Sequence, residues 1–563
     1  MATFAGSEFN DLAKLLFKCL STTNLNFDPL MYIENFEKCK TNVSRVEFVL
    51  KDMQRYPKIF AKFTKDKKDD QVALKHYENG RLAFNNFNYW DALENYTRCI
   101  ACAENPRTLA MGHRNRAECF LQLKMKTKCE EEIKRAKSHS LKQEIDDFIA
   151  KLNQIEDSTC KTFEPIPGYI NFHPNDNIQS ANNCVKIGPN LIVASRDIEI
   201  GEILAIEKPW AAVLTTDRLT HCHECLCLCY NLIPCPKCTV ALFCSELCKD
   251  KARSYHKYEC PILLTICYRA LCEFAIDEAM LLAFKVAILA KDDYSNLDYM
   301  RLDGTYRSDR YNEVHFLKPD GEFSRFEIFH QAILTAFVFD LLWQYTSFFS
   351  GIFSSTDTQI KFKDVFMMQL QRSHSAVKIY EFVQKFDFCG TANYSLGAYS
   401  FFSLFPHSCC ANVMKTYHGN VMVLRAINTI KEGEACFVNR FGLRYDVADK
   451  KMRQKFLSDY KIPSCECKAC KEDWVPNLDG VDSICEKLDV PVMELGEIVT
   501  NLIGINVDKA SVFLPLLKEE LEKCEMAEPD GSVLALKHLI VHCFVIFGNK
   551  KIQYDGRDVV FEL

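Results

Sequence analysis

The chain contains 563 residues, which is too long for one hydrophobic core and predicts three or more domains. Its formal net charge of −6 excludes the overall basic surface typical of nucleic-acid-binding proteins, although a local basic patch stays open. Polar residues interrupt the longest apolar runs, 336–353 and 534–547, and the first residues carry no apolar signal segment, so we expect buried helices in a soluble intracellular protein.

Residues 1–160 are predicted to be helical, and residues 73–140 show the spacing of two helical hairpins. Small and aromatic residues stand where paired helices would cross: Gly80, Tyr89, Ala92 and Tyr96, then Ala117, Phe120, Cys129, Ile133 and Ala136. This pattern resembles tetratricopeptide repeats, whose period is about 34 residues, and an unrelated helical bundle is the alternative. Two repeats seldom form a stable solenoid, so we expect them to pack on another part of the chain and to bind partner proteins.

Residues 184–215 are predicted to form a small β unit. β-branched runs at 185–195 and 203–210 flank a turn that contains Gly201. Such runs around a glycine turn are typical of short antiparallel strands. Taken alone, they indicate no particular function.

Four pairs of candidate metal ligands follow in residues 222–260. They are Cys222 and Cys225, Cys235 and Cys238, Cys244 and Cys248, and His256 and Cys260. Each pair is separated by two or three residues, so both members can face one ion, and four pairs suffice for two tetrahedral zinc sites. The segment is too short to bury much core, so metal is the expected source of its folding energy. Disulfides are the alternative, which the intracellular character of the chain disfavours.

This ligand spacing resembles the MYND zinc finger along its whole length. The resemblance implies interleaved sites: Cys222, Cys225, Cys244 and Cys248 hold one zinc, and Cys235, Cys238, His256 and Cys260 hold the other. Cys227 and Cys229 fall outside the pattern and are interpreted as spare thiols, with a shifted register as the alternative. Directly before such a finger, the strands of 184–215 look like the first part of a SET domain, the catalytic module of protein-lysine methyltransferases. In the SET-and-MYND family the finger interrupts that module.

The later segments follow the order of the same family. Residues 262–385, helical apart from a polar loop, match its helical insert, and residues 386–445 would complete the SET core. Residues 397–413 resemble the family's SLxNHSCxPNV signature, with these positions retained: Ser403, Leu404, His407, Ser408, Cys409 and Asn412.

A second cysteine group lies in residues 446–475. Cys465, Cys467 and Cys470 resemble the post-SET zinc knuckle, and the resemblance gives Cys409 as the fourth ligand. The finger and the knuckle together use eleven of the 29 cysteines, and the rest are interpreted as buried thiols of a reducing compartment. Residues 476–563 are predicted to form a C-terminal helical domain.

The resemblance spans about 185–470 and implies an α+β multidomain fold. In that fold helical repeats precede a SET β-fold split by the finger and a helical insert, as in the tetratricopeptide-bearing branch of the family. It implies an S-adenosylmethionine-dependent protein-lysine N-methyltransferase acting on histone or non-histone protein, located in cytoplasm and nucleus. Its metal content would be three zinc ions, two in the finger and one in the post-SET knuckle. The target lysine reacts as the neutral amine, which a desolvating aromatic channel favours by lowering the lysine pKa.

The resemblance also gives the cofactor-binding positions. Gly188 stands at the cofactor turn, and Asn190 replaces its second glycine while still tolerating unusual backbone angles. His407 stands in the family's Asn-His pair, with a satisfied core histidine as the alternative. Pro406 occupies the asparagine position, where it supplies neither an N–H nor a side-chain amide.

The catalytic positions depart further from the family. Phe441 stands where the family usually has a tyrosine before glycine, so the channel wall is kept and a hydroxyl is lost. Tyr460 matches the second channel tyrosine, which also borders the cofactor, although it could simply cover the zinc knuckle. Tyr445 is another source of a hydroxyl, but nothing in the sequence places it in the channel.

Pro406 and Phe441 together support an alternative function. The chain would then be a catalytically weakened or inactive SET-fold scaffold that recruits transcriptional or chaperone partners through the finger and the helical repeats. Both interpretations predict protein partners, a protein substrate with a target lysine for the enzyme, and no membrane. Direct nucleic-acid binding is not expected for a net acidic chain.

Overall fold

The structure is a computed structural model, and the residues it describes fall in nineteen segments. They are 11–23, 26–56, 65–138, 172–189, 191–227, 229–267, 278–294, 305–316, 322–351, 354–375, 380–387, 390–418, 420–440, 444–459, 464–475, 507–524, 528–548, 551–554 and 557–560.

Three N-terminal helices, α1 (Asp11–Thr23), α2 (Pro29–Glu37) and α3 (Asn42–Arg55), are part of a large helical core. The ring of Phe329, from the later insert, stacks on Phe17 at 5.6 Å and meets Phe36 edge-on at 5.0 Å. Burial of these aromatic rings stabilises the packing of the first helices on the later helices. The first helices therefore belong to the core of the insert, about 300 residues further along the chain.

Two helical pairs follow. They are α4 (Asp70–Asn85) with α5 (Tyr89–Cys102) and α6 (Pro106–Gln122) with α7 (Lys126–Ser138). At the first crossing a Cβ on Gly80 would lie 2.6 Å from the Tyr96 ring, so only glycine permits this approach. The hairpins lie where the sequence predicted them, and their assignment to tetratricopeptide repeats stays a prediction.

The helical pairs pack against one face of residues 229–240. The fully buried Arg116 donates to the carbonyl of Leu232 at 3.1 Å, and Trp90 packs on Tyr230 with ring centroids 4.7 Å apart. Ahead of the pairs, both carboxylate oxygens of Asp66 accept hydrogen bonds from Thr239, at 2.7 and 2.9 Å. The helical pairs and the cysteine-rich segment thus form one packed unit.

The β structure joins segments from both sides of the cysteine-rich segment and the insert. Strands β1 (Val185–Gly188) and β2 (Leu191–Ala194) form a hairpin. Strand β3 (Ile203–Glu207) pairs with β10 (Val421–Ala426), and β10 pairs with β9 (Val413–His418). Strand contacts therefore link parts of the chain that lie more than 200 residues apart.

A second three-stranded sheet has the order β4–β8–β7. Its strands are β4 (Ala212–Leu214), β7 (Tyr380–Asp387) and β8 (Gly390–Ala398). The predicted end of the helical insert at residue 385 falls inside β7, so that boundary is wrong by several residues. Tyr380, Phe382 and Val383 all favour a strand, and pairing with β8 along the whole length of β7 fixes this conformation.

The cysteine-rich segment and the insert contain the next elements. Short strands β5 (Ile233–Pro234) and β6 (Leu242–Phe243) precede α8 (Glu246–Glu259) and α9 (Leu263–Cys267). The insert then adds these helices: α10 (Glu278–Leu289), α11 (Tyr311–His315), α12 (Arg325–Tyr345) and α13 (Thr356–Ser375). Among the described residues, α12 is long and apolar enough to cross a membrane, but 72% of its most apolar window is buried inside the fold.

The last part of the chain packs on the β core. Helices α14 (Lys450–Asp459) and α15 (Lys468–Lys471) precede α16 (Val507–Lys523) and α17 (Gly531–Gly548). Arg425 of β10 donates to the carbonyl of Gly201 at 3.1 Å and lies over the Phe544 ring.

The chain closes with a strand pair, β11 (Lys551–Tyr554) and β12 (Arg557–Val560), so the terminal region is not purely helical as predicted. Residues 476–506, also predicted as helical, lie outside the described residues.

Candidate functional site

The cysteine-rich segment contains two separate groups of ligand atoms. The first comprises Cys222, Cys225, Cys244 and Cys248, whose sulfur atoms all lie within 4.8 Å of one another. Ser245 caps α8 by accepting a hydrogen bond from the Cys248 N–H at 3.2 Å, which holds that cysteine toward the group. Four sulfur donors suit a tetrahedral zinc site.

The second group comprises Cys235, Cys238, His256 and Cys260, again within 4.8 Å. Nε2 of His256 faces the thiols and lies 3.2 Å from Cys235 Sγ, while its Nδ1 lies 2.9 Å from Glu259 Oε1. The same carboxylate oxygen is 2.6 Å from Nε2 of the buried His223. A carboxylate on the far nitrogen orients a metal-binding imidazole, so this donor set fits zinc as well. Sequence reasoning missed Glu259, although it stands three residues after His256.

Cys227 and Cys229 are absent from both groups of four. Cys229 donates to Asn231 Oδ1 at 3.0 Å instead. The two groups contain the eight residues named from the spacing, in the interleaved arrangement that the resemblance implied.

A third group joins two distant segments: Cys409, Cys465, Cys467 and Cys470. Cys409 Sγ lies 3.6 Å from Cys470 Sγ, across 61 residues of chain. The fully buried Arg453 donates to the carbonyl of Ala469 at 3.2 Å, and its guanidinium lies 3.7 Å from Cys470 Sγ. Four thiolates around a divalent ion carry net negative charge, so a buried cation at this place fits a zinc centre.

The loop that carries Cys409 is fixed by buried hydrogen bonds. Arg440, which is 4% exposed, donates to the carbonyl of Ser403 at 2.8 Å and to that of Phe405. The side chain of Asn412 donates to the Ala435 carbonyl at 2.9 Å and accepts from the Phe437 N–H at 2.7 Å. The residues before and after Cys409 are therefore held by the segment 435–440.

His407 lies within this network. Its Nδ1 accepts from the backbone N–H of Arg440 at 3.3 Å, and its Nε2 lies 3.6 Å from Cys409 Sγ. Burial, reinforced by the nearby Arg440 guanidinium, lowers the pKa of His407 to about 4. The imidazole is therefore neutral at physiological pH, with Nδ1 as an acceptor.

A cavity of about 990 Å³ opens beside His407. Its walls come from the Cys409 loop, the segment of Cys465 and Cys467, and α17 with the residue Glu528 before it. The lining residues are Ile200, Pro406, His407, Ser408, Cys410, Asn412, Asn428, Thr429, Phe437, Arg440, Ser464, Cys465, Glu466, Cys467, Lys468, Trp474, Glu528, Val533 and Lys537. This volume is large enough for a nucleoside-sized ligand together with a side chain.

The predicted cofactor and channel residues fall in different places. Pro406 and His407 line the cavity, whereas Gly188 does not. Gly188 ends β1, and β2 bridges Ala435 through Val193, so the register turns this end of the hairpin toward Phe437.

Three of the predicted site residues are not described. Asn190, Phe441 and Tyr460 lie outside the described residues. Their predicted roles at the cofactor and in the channel therefore stay predictions.

Tyr445 is engaged in the structure. It is 2% exposed, its hydroxyl donates to Glu528 at 3.1 Å, and its ring packs edge-on against Trp474. Glu528 also pairs with Lys537 at 3.2 Å. Sequence reasoning named no residue of this C-terminal wall, although Lys537 interrupts an apolar helix and could have marked a polar role.

A buried carboxyl group, that of Glu207, fixes the backbone that leads into the Cys409 loop. Glu207, at the end of β3, is fully buried and accepts hydrogen bonds from the N–H groups of Phe401 and Phe402, both at 2.8 Å. Burial raises the pKa of Glu207 to about 8, although these N–H groups oppose the shift.

The raised pKa of Glu207 predicts a pH-dependent stability. Because the folded state binds the proton more tightly, stability should be highest near pH 5 and fall by up to about 1.4 kcal/mol per pH unit toward pH 8. Urea denaturation across this range should show a flatter profile for Glu207→Gln. The matched change at an exposed carboxylate, Glu199→Gln, should keep the wild-type slope. Equal slopes in all three proteins would contradict the assignment.

Known proteins with sequences similar to this chain include several named lysine methyltransferases. No family model matches the chain. A zebrafish (Danio rerio) protein named protein-lysine N-methyltransferase SMYD4 is 24% identical over 245 residues, 38% of this chain and 32% of the relative. N-lysine methyltransferase SMYD2-A of Xenopus laevis is 25% identical over 282 residues, 49% of this chain and 57% of the relative. A 68-residue segment is 40% identical to human N-lysine methyltransferase SMYD2, over 12% of this chain and 15% of the relative.

In the two longer matches the sequence identity is low, 24% and 25%, and the matched region covers 38% and 49% of this chain. The chain spans about a third of the first of these relatives and somewhat more than half of the second. Relatives with the names SMYD2 and SMYD4 support the SET and MYND family and a methyltransferase. The cysteine groups fit zinc binding in a multidomain chain of helical and mixed α/β structure.

Proposed function

We propose that this protein is an S-adenosylmethionine-dependent protein-lysine N-methyltransferase of the SET and MYND family. The observation that carries the proposal is the cavity beside His407, whose walls combine the Cys409 loop with the segment of Cys465 and Cys467. The third cysteine group ties these two walls together. The names of the relatives point to the same chemistry.

The chain's own residues have distinct roles in this proposal. S-adenosylmethionine, when bound, supplies an electrophilic methyl group. His407 and Phe437, which line the cavity, would border its site. Gly188 and Asn190 would supply the cofactor turn that the family resemblance implies. In this proposal Tyr460 would orient the incoming amine, and Phe441 would keep the channel wall apolar. Because the channel excludes water, the target lysine enters as the neutral amine.

Zinc gives the walls their shape. Two ions would sit in the finger and one in the post-SET group. The substrate would be a histone or non-histone protein with a target lysine, met in cytoplasm or nucleus. The helical pairs would add a surface for partner proteins as tetratricopeptide-like repeats, and neither a membrane nor nucleic acid is a proposed partner.

A second candidate function is a SET-fold scaffold with weakened or absent catalysis. The observation that favours it is Pro406, which lines the cavity and offers only its carbonyl, already bonded to the Val438 N–H at 3.0 Å. Partners would use surfaces other than the face of residues 229–240 that packs on the helical pairs.

Restoring the missing hydroxyl should separate the two candidates. We expect Phe441→Tyr to raise the rate of methyl transfer about a hundredfold, because one positioned hydroxyl in a dry channel is worth this much. Phe441→Leu is the matched control and should show no gain. The measurement is transfer of a labelled methyl group to lysine in a protein extract, followed by mass spectrometry. If neither the wild type nor Phe441→Tyr labels any lysine, the methyltransferase proposal is rejected and the scaffold proposal stands.

A further inference from the structure

A fifth thiol stands beside the third cysteine group. Cys410 follows Cys409 directly, and its thiol is in contact with that of Cys467. The backbone N–H of Cys410 donates to Ser408 Oγ at 3.1 Å, and its Sγ lies 3.5 Å from the same oxygen. These contacts hold the thiol at the edge of the group without making it one of the four ligands.

Cys410 is also reachable from solvent. It is partly exposed and lines the 990 Å³ cavity, as do Cys465 and Cys467. Cys409 and Cys470, the other two ligands of the group, are only 1% and 2% exposed. A small polar oxidant that enters the cavity would therefore meet Cys410 and Cys467 next to each other.

We propose that Cys410 is an oxidation site, at which a hydroperoxide forms a Cys410–Cys467 disulfide and releases the zinc ion of the third group. The inference rests on that group holding zinc, which is part of the proposed function.

The chemistry balances with the hydroperoxide as the only oxidant. The Cys410 thiol gives its proton to solvent and the thiolate attacks hydrogen peroxide. The O–O bond breaks, a sulfenic acid forms, and the hydroxide that leaves takes up a proton as one water. The zinc-bound Cys467 sulfur then attacks the Cys410 sulfur, and hydroxide leaves and takes a solvent proton as a second water. The two sulfur atoms lose two electrons in total. Zinc keeps three protein ligands and is lost to a chelator, because a structural site needs four.

The consequence falls on the cavity. Cys467 directly precedes α15, and its neighbour Lys468 also lines the cavity. A disulfide to Cys410 pulls this wall toward the Cys409 loop and frees Cys465 and Cys470. Oxidation would thus reshape the wall beside His407, and a thiol reductant with added zinc would restore it.

The test uses the reduced, zinc-loaded full-length chain. Zinc is counted first, then one equivalent of hydrogen peroxide is added, and release is followed with a chromogenic chelator. We expect release of about one of three zinc ions, a Cys410–Cys467 linkage by mass spectrometry, and release at least tenfold slower in Cys410→Ser. Cys227→Ser is the matched control, since Cys227 stands beside Cys225 in the same way but away from the cavity, and it should behave as wild type.

Two results would overturn the inference. Release from Cys410→Ser at the wild-type rate would show that Cys410 takes no part. A zinc content of only two ions per chain before oxidation would show that the third cysteine group holds no zinc, so there would be no ion to release. Failure of methyl transfer in a chain with all three ions would leave the inference intact, so the two proposals fail separately.

Discussion

Cys470→Ser is expected to lower the zinc content of the purified chain from three ions to two and to weaken cofactor binding at least a hundredfold. Cys470 is 2% exposed and its Sγ lies 3.6 Å from Cys409 Sγ, so the two sulfur atoms are in contact between the loop of His407 and α15. With only three protein ligands the tetrahedral coordination of a structural zinc site is incomplete. The ion is then lost, and the two cavity walls separate. Metal analysis and calorimetry with S-adenosylmethionine measure both effects, and we expect affinity to fall at least a hundredfold.

Cys229→Ser is the matched control for this experiment. Cys229 is a buried thiol outside all three groups, and serine can keep its hydrogen bond to Asn231. This variant should retain three zinc ions and wild-type affinity. Three ions and normal affinity in Cys470→Ser would contradict the role of the third group.

Glu132→Ala should have the second-largest effect, on stability rather than on chemistry. Glu132 and Arg116 are both fully buried and form a salt bridge, with Arg116 Nε 2.8 Å from Glu132 Oε2. The same carboxylate oxygen lies 2.9 Å from His113 Nδ1. Burial alone would raise the pKa of Glu132, but Arg116 and His113 hold it well below its usual range. Removing the carboxylate leaves the Arg116 charge buried without its partner, which costs about 3–5 kcal/mol. The contribution is present above pH 5 and is lost as the pH falls and the carboxylate takes up a proton.

The loss should reach beyond the helical pairs. Because Arg116 also holds the Leu232 carbonyl, hydrogen exchange should rise in α5–α7 and in residues 229–240 together. The control is Glu78→Ala, which breaks an exposed pair with Arg81 in the same region and should cost less than about 1 kcal/mol. Faster exchange confined to α6 and α7 would contradict the coupling between the helical pairs and residues 229–240.

The three ligand groups were the part of the site that sequence could predict best. Ligand pairs such as Cys235 and Cys238 are local, so their spacing alone indicates that both side chains can face one ion. Pairing Cys409 with a knuckle 56 residues later needed the family resemblance, because no local pattern links them. The helical pairs could be predicted for the same reason as the ligand pairs, since Gly80 and Tyr96 meet across one short turn.

The contacts that sequence could not give all join distant segments. Arg116 meets Leu232 across 116 residues, and Tyr445 meets Glu528 across 83. Periodicity along the chain carries no information about such pairs, because each partner looks like an ordinary polar residue of its own helix or loop. Glu207 is the clearest case, since a carboxylate at the end of an apolar strand reads as exposed until Phe401 and Phe402 are seen to enclose it.

Binding of S-adenosylmethionine to the reduced, zinc-loaded chain tests the central claim most directly. Calorimetric titration should show saturable binding of one cofactor per chain, weakened at least tenfold in His407→Ala, since His407 lines the cavity. An absence of binding with the cofactor in large excess, in a chain that carries its three zinc ions, would contradict the account.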